Sequence, residues 1–506
     1  MKSIHIAIHK GFFTVVVKGN KAGHAVETYY NKFTTFKSSY DFRRRKYVRE
    51  PGHVYAGKVL RNDEYRFASA YLKDFVHFMR IRGISTDDIS HEVAAYPLPV
   101  PISLSIKDTF VAREYQEKYV DALCNCDGRY QSLVDLQTGK GKSLIALFAL
   151  KALNERAIFI MKPKYISKWV SDLKEKLNTE KGDIVVVKGA IQLDNLVTSV
   201  RDYDEPFKIV IISSRTLHIY IKKYELAKRR SDFEYLVEPT ELLETLSVRK
   251  IFVDEIHQEF HSIFKTLLYL DAEQLIALSA TFETDNASVR TYHNALFPKE
   301  SRLDFLEYDR YVTVFAIEYD VEFAKFIRCV TSRGYSHVEF EKYLLRKPRQ
   351  LANYLKMIDY YLDEGYLKLR SEGDTALVFA ATTKMCTIIA DYLRKQHRNL
   401  NVTRYVEDDP FEKLEEGDVV CSTVLSAGTA MDKSGLISVF QTISIKSSVA
   451  NNQTLGRLRK MGDRELRYYY FFTKGIPKQA EYHTVKMDLF AKKAKRIFIR
   501  NYMNTI

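Results

Sequence analysis

The chain has 506 residues, 46% apolar and 28% charged, with a formal net charge of +14, which is too long for one hydrophobic core and too apolar for a disordered chain. Its apolar runs are strand-sized rather than membrane-spanning, and the N-terminus MKSIHIAIHKG lacks a secretory apolar core. Five scattered cysteines, with Cys124 and Cys126 lacking a second ligand pair at zinc spacing, point to a reduced, cytoplasmic protein without a structural metal.

Residues 1–100 hold 17 Lys/Arg against 9 Asp/Glu, and residues 474–506 hold 8 against 2, so the two ends carry the whole excess and the middle is neutral. Two basic ends imply a polyanionic partner gripped there. The first hundred residues alternate short β-like runs with the aromatic–basic stretch 29–55 and one helical pattern ending at Gly83, a small α+β unit. In that stretch Arg43, Arg44, Arg45 and Lys46 either form a β-hairpin that grips phosphates while a Tyr or Phe stacks on a base, or are a solvated loop. Three prolines in 96–104 read as a linker.

From about residue 107 the rhythm becomes strand, turn, helix. SLVDL, AIFIM, IVVV, KIVIIS, KIFVD and LIALSA have the continuous apolarity of buried parallel strands. A charged, mostly helical segment covers roughly 318–370, and the rhythm restarts at TALVFAA. The expected fold class is α/β: two tandem parallel-sheet domains, 101–310 and 311–506, behind the small N-terminal domain 1–100.

Four motifs carry chemistry. Leu136-Gln-Thr-Gly-Lys-Gly-Lys-Ser143 sits between the strand SLVDL and a helix. Gly139 and Gly141 let Thr138, Lys140 and their neighbours turn backbone N–H groups toward a phosphate, with Lys142 on the β/γ-phosphates and Ser143 on Mg²⁺. Asp254-Glu255-Ile256-His257 closes KIFVD, so that Asp254 can hold Mg²⁺ and Glu255 can deprotonate water, while His257 either senses the γ-phosphate or caps the turn. Ser279 and Thr281 close the next strand and can relay nucleotide state. Gln453-Thr-Leu-Gly456-Arg457-Leu-Arg459-Lys460 can present Gln453 and an arginine across a cleft, with Arg457 preferred because Lys460 lacks the guanidinium fork.

In this order the four motifs resemble the superfamily 2 helicases and translocases of the DExH type over about 107–475. The resemblance implies two RecA-like domains, ATP and Mg²⁺ as cofactors, and DNA as partner of a monomeric motor. It also implies adenine reading by Arg113 and Gln116, nucleotide contacts from Gly428 and Asp432, and strand contacts from Lys162, Pro163, Ser214, Arg215, Thr216, Thr382, Thr383, Ser422 and Thr423. Leu136 departs from the family's small residue, and Asp432 lies two positions later than in many relatives. The basic N-terminal unit is similar to that of the bacteriophage branch-migration helicases of the UvsW type, which implies work on forked or branched DNA. A double-strand translocase and an RNA helicase share the same motor motifs. Removing residues 1–100 is expected to spare every nucleotide motif.

Overall fold

The computed structural model describes residues 3–41, 46–96, 98–126, 128–137, 139–280, 282, 284, 286–331, 334–406, 409–410, 412–427 and 433–506. Two seven-stranded sheets dominate it, each with all its strands parallel. In the first, the spatial order is Ile184–Val187, Ile209–Ser213, Ala157–Met161, Lys250–Asp254, Gln274–Ser279, Gln131–Asp135, Arg302–Leu303. In the second it is Val402–Tyr405, Val419–Thr423, Thr375–Ala380, Leu436–Gln441, Leu466–Phe472, Val312–Glu318, Arg496–Asn501. Ranked by position in the chain, both read third, fourth, second, fifth, sixth, first, seventh. The chain has folded the same topology twice, and in such sheets ligands sit at the carboxyl ends of the strands.

Alternation along each strand splits the first sheet's side chains between two cores. Ile158 and Ile160 face one side with Leu133, Ile251, Val253 and Ala277, whereas Ala157, Phe159 and Met161 face the other with Phe252, Ile276 and Leu278. The helices Glu114–Cys124, Lys142–Leu153 and Pro163–Lys176 cover the second side. The helix Ser214–Leu226, the helix Phe260–Leu267 and the N-terminal residues together cover the first.

Residues 4–93 build a five-stranded sheet in the order Gly57–Val59, Glu64–Ala68, Phe12–Val17, Ile4–Ile8, Ile89–Val93. It carries the helices Asn20–Asn31 and Leu72–Ile81, and a separate antiparallel hairpin of Thr34–Asp41 and Lys46–Val54. This unit shares one continuous core with the first parallel sheet. Tyr55 stacks on Tyr292 at 3.9 Å, buried Arg66 donates to the Leu268 carbonyl at 3.0 Å, and Lys10 pairs with Glu273 at 3.1 Å. A Cβ on Gly11 would lie 2.4 Å from the Tyr130 ring, so the contact demands glycine. The stretch 96–104 is no free linker either: Ile102 and Leu104 are buried, and the Ile102 N–H donates to the Asn154 carbonyl at 3.2 Å.

The segment read as mostly helical holds the helices His337–Leu345 and Pro348–Leu362. It follows directly on Val312–Glu318, a fully formed strand of the second sheet that the sequence rhythm did not single out. Among the described residues no helix is long and apolar enough to cross a membrane.

Candidate active site

The turn between Gln131–Asp135 and Lys142–Leu153 closes tightly because Gly139 (φ 86°) and Gly141 (φ 79°) adopt left-handed backbone. A Cβ on Gly141 would lie 2.5 Å from Gln116 Nε2, so a side chain there would also have to displace the Gln116 amide. Gln116 is buried under the loop, accepting from the Arg113 N–H at 2.9 Å and donating to the Lys140 carbonyl at 3.2 Å. Its observed partners therefore make it a support for the loop, and Tyr115 OH donates to the same carbonyl at 2.9 Å. Leu136 is buried in the core, pointing its side chain away from the loop. Its carbonyl accepts from Lys142 Nζ at 3.2 Å, and that ammonium also lies 4.0 Å from Glu255 Oε1.

Asp254 ends its strand half-buried, and Glu255 follows at φ 49°, a strained backbone for a residue with a side chain. Burial, with the Glu255 carboxylate beside it, raises the Asp254 carboxyl above its usual range. Trp169 Nε1 donates to Asp254 Oδ2 at 2.7 Å and fixes its orientation. His257 Nδ1 lies 2.9 Å from Ser279 Oγ and 3.2 Å from Glu255 Oε2, and its Nε2 lies 3.2 Å from Gln453 Nε2. Burial lowers the imidazole to about 4, so at neutral pH it is uncharged and must accept at one nitrogen. The Gln453 amide nitrogen can only donate, so His257 Nε2 accepts and Nδ1 carries the proton toward Glu255 and Ser279. His257 thus touches both the carboxylate and a residue of the second sheet's half.

The helix Ser448–Leu455 and the turn after it bring Gln453, Arg457 and Arg459 to the same cleft of about 330 Å³ that Gly139, Lys142, Ser143, Asp254 and Glu255 line. Arg457 Nε donates to the Gln453 carbonyl one turn back at 3.1 Å. Arg459 lies along the phosphate-loop backbone, its Cδ 3.5 Å from where a Gly139 Cβ would be. Lys460 instead turns to Asp309, 3.5 Å from Oδ2. The sequence reading preferred Arg457 and counted Lys460 among the nucleotide contacts; Arg459, one position before Lys460, is the residue the folded turn brings to the cleft. Mg²⁺ characteristically takes one or two protein oxygens and completes its shell from phosphates and water, and Ser143 with Asp254 fits that pattern.

The expected strand-contacting residues divide. Lys162 immediately precedes the helix that Pro163 opens, its Nζ 3.9 Å from Glu259. Ser214 and Thr216 are buried, Ser214 donating to Glu259 Oε2 at 3.0 Å, and Arg215 is exposed between them. Ser422 is fully buried with its hydroxyl on the Tyr405 carbonyl, whereas Thr423 is half-buried. The faces of these segments are therefore presented by Arg215 and Thr423, because the serine hydroxyls are consumed inside. Thr383 is exposed at the start of its helix, and Thr382 caps it by accepting from the Met385 N–H at 3.1 Å. Lys46 is exposed. Thr138, Thr281, Gly428, Asp432, Arg43, Arg44 and Arg45 lie outside the described residues.

Thr382 also donates to Glu341 Oε2 at 2.7 Å, and the Ala381 N–H donates to Glu341 Oε1 at 2.6 Å. Burial nevertheless lifts the Glu341 carboxyl to about 7. A folded pKa raised above the unfolded one stabilises the fold at low pH, and that contribution is lost as pH rises through about 7. Glu341→Gln, which keeps an acceptor for Ala381 and has no proton to lose, should therefore raise Tm at pH 8 and not at pH 5. The ionisation cost it removes is at most about 3 kcal/mol. Thermal melts of both proteins across that range test this, and an equal Tm difference at both ends would contradict it.

Residues 109–284 match the family model described as "Type III restriction enzyme, res subunit". Two structures of a Saccharomyces cerevisiae protein are similar to the chain, "S. cerevisiae Dbp5 bound to RNA and ADP BeF3" and a single-substitution variant in the same complex. Each is 12% identical, with a TM-score of 0.47, covering 77% and 76% of this chain and 89% of the other. No curated protein matches the chain. The family match runs from before the helix Glu114–Cys124 to just past the strand Gln274–Ser279, and so covers most of the first parallel sheet, whose topology the second half repeats.

Proposed function

We propose that this chain is an ATP-dependent DNA helicase that translocates on DNA and remodels forks or branched junctions. One observation carries the reading: residues from both parallel sheets, each following the carboxyl end of a strand, line a single cleft. Both walls come from one chain, which supports a monomeric motor organised as 1–100, 101–310 and 311–506.

The chemistry follows from the residues. Backbone N–H groups from Gly139 to Ser143, with the helix N-terminus behind them, bind the phosphates, and Lys142 exchanges the Leu136 carbonyl for a phosphate oxygen. Ser143 and Asp254 hold Mg²⁺, which neutralises charge on the phosphate oxygens. Glu255 orients and deprotonates the attacking water, steered by His257. Arg457 and Arg459 reach in from the second half to stabilise charge on the transferring phosphoryl. Gln453 and His257 join the halves, and their contact couples hydrolysis to inter-domain movement.

Arg457→Ala and Arg459→Ala should each lower kcat by about 10²-fold or more while KM for ATP changes little, because their contacts strengthen in the transition state. Steady-state ATP hydrolysis measures this. A larger loss from Lys460→Ala than from either arginine would contradict the assignment.

DNA binding is supported by the charge at the ends and by the hairpin. There Arg49 lies 3.9 Å over the ring of Phe36, which is 48% exposed. The adjoining groove is lined by Asn31, Lys32, Thr34, Arg49, Ser288 and Tyr292 among others, and no Asp or Glu of the described residues lines it. An exposed ring beside a guanidinium suits a base and its phosphate.

A further inference from the structure

The two sheets are joined by a single crossing of the chain, residues 304–311, between Arg302–Leu303 and Val312–Glu318. Eight residues can reach roughly 26 Å when extended, so the connection alone would leave the halves free to separate. It is instead tied to both walls of the cleft. The Gln137 side chain accepts from the Asp309 N–H at 3.2 Å and donates to the Asp309 carbonyl at 3.3 Å, pairing with it as a neighbouring strand would. Asp309 Oδ2 takes Lys140 Nζ at 3.3 Å and Lys460 Nζ at 3.5 Å. Two residues on, Tyr311 OH donates to the Leu458 carbonyl at 3.0 Å.

These contacts bracket one encounter. On the first wall, Gln137 and Lys140 flank Gly139. On the second, Leu458 and Lys460 flank Arg459. Between them the Arg459 side chain lies on the Gly139 backbone. We infer that Asp309 is a positioning residue for hydrolysis: its carboxylate clamps Lys140 of the phosphate loop to Lys460 and so sets Arg459 over the phosphates. The inference rests on the reading of the cleft as the ATP site. Two ammonium groups share one carboxylate oxygen here, so removing the carboxylate turns an attraction into a repulsion between the two walls.

The experiment uses the full chain and reads ATP turnover, KM, and affinity for ADP with and without aluminium fluoride as a transition-state mimic. Asp309→Ala should lower kcat about tenfold and weaken the aluminium fluoride complex about tenfold, while ADP affinity and KM stay within about threefold. Asp309→Glu should recover most of the loss. Adding Lys460→Ala to Asp309→Ala should cost less than the separate effects multiplied, because the repulsion is gone. A merely structural role would instead weaken ADP and its fluoride complex alike and lower Tm. That result overturns the inference, as does a kcat within about twofold of wild type, or a Glu variant no better than Ala. Wild-type protein that binds no ADP overturns the cleft reading and this inference together. Wild type that binds and hydrolyses, beside an unimpaired Asp309→Ala, overturns this inference alone.

Discussion

Glu255→Gln should bind ATP and Mg²⁺ with near wild-type affinity and hydrolyse about 10³-fold more slowly or worse, since only the base that activates water is removed. The substitution is nearly isosteric, and its neighbours argue for a clean effect. His257 Nδ1 can still donate to the amide oxygen at the Glu255 position, so the contact to Gln453 survives. Lys142, 4.0 Å from the carboxylate, keeps the Leu136 carbonyl as its resting partner. Lys142→Ala should fail earlier, losing nucleotide affinity as well as turnover, because the phosphate charge then lacks its main counter-charge. Single-turnover hydrolysis beside equilibrium nucleotide binding separates the two. A Glu255→Gln protein with near-normal turnover would remove Glu255 from the chemistry.

Removing residues 1–100 should destabilise the chain, lowering Tm on the order of 10 °C or preventing folding. The reason is burial. Tyr292, Leu268, Tyr269 and Phe264 belong to a core whose other half is Phe12, Phe13, Tyr55, Phe67 and Tyr29. Truncation would expose that face and strand buried polar groups, among them the Leu268 carbonyl that Arg66 satisfies. The expectation from sequence that truncation spares the motor is therefore replaced. Surface variants ask the nucleic-acid question instead. Phe36→Ala with Lys46→Ala and Arg49→Ala should keep Tm and basal ATP turnover while weakening DNA binding about tenfold and reducing its salt slope by about two. A folded, fully active truncation would show the shared core to be dispensable, and unchanged binding by the triple variant would remove the hairpin from the interface.

The sequence made the local chemistry legible and concealed what depends on packing across distance. Buried parallel strands announce themselves by unbroken apolar runs such as AIFIM, KIFVD or TALVFAA, so six strands of the first sheet could be read, the two-residue Arg302–Leu303 excepted, and four of the second. Val312–Glu318 and Arg496–Asn501 were harder, since the first runs on from a connection and the second is largely exposed. Within the phosphate-type loop, and within the acidic motif, the residues lie close together in sequence, and each motif's geometry follows from one strand and one turn. Arg459, Trp169 and Asp309 matter through contacts 85 to 320 residues away, which no local pattern encodes. The shared N-terminal core was hidden for the same reason: prolines suggested a linker where buried Ile102 and Leu104 make a strap.

The central claim is that nucleic acid drives ATP hydrolysis in this cleft. The most direct test measures Mg²⁺-dependent ATP hydrolysis by the full chain alone and with single-stranded DNA, duplex, forked DNA, a four-way junction and RNA in parallel, with Lys142→Ala as control. Stimulation of about tenfold or more, greatest with forked or four-way DNA and absent in the control, is the predicted result. Greatest stimulation by RNA would move the chain to the RNA helicases, and hydrolysis indifferent to every nucleic acid would contradict the account.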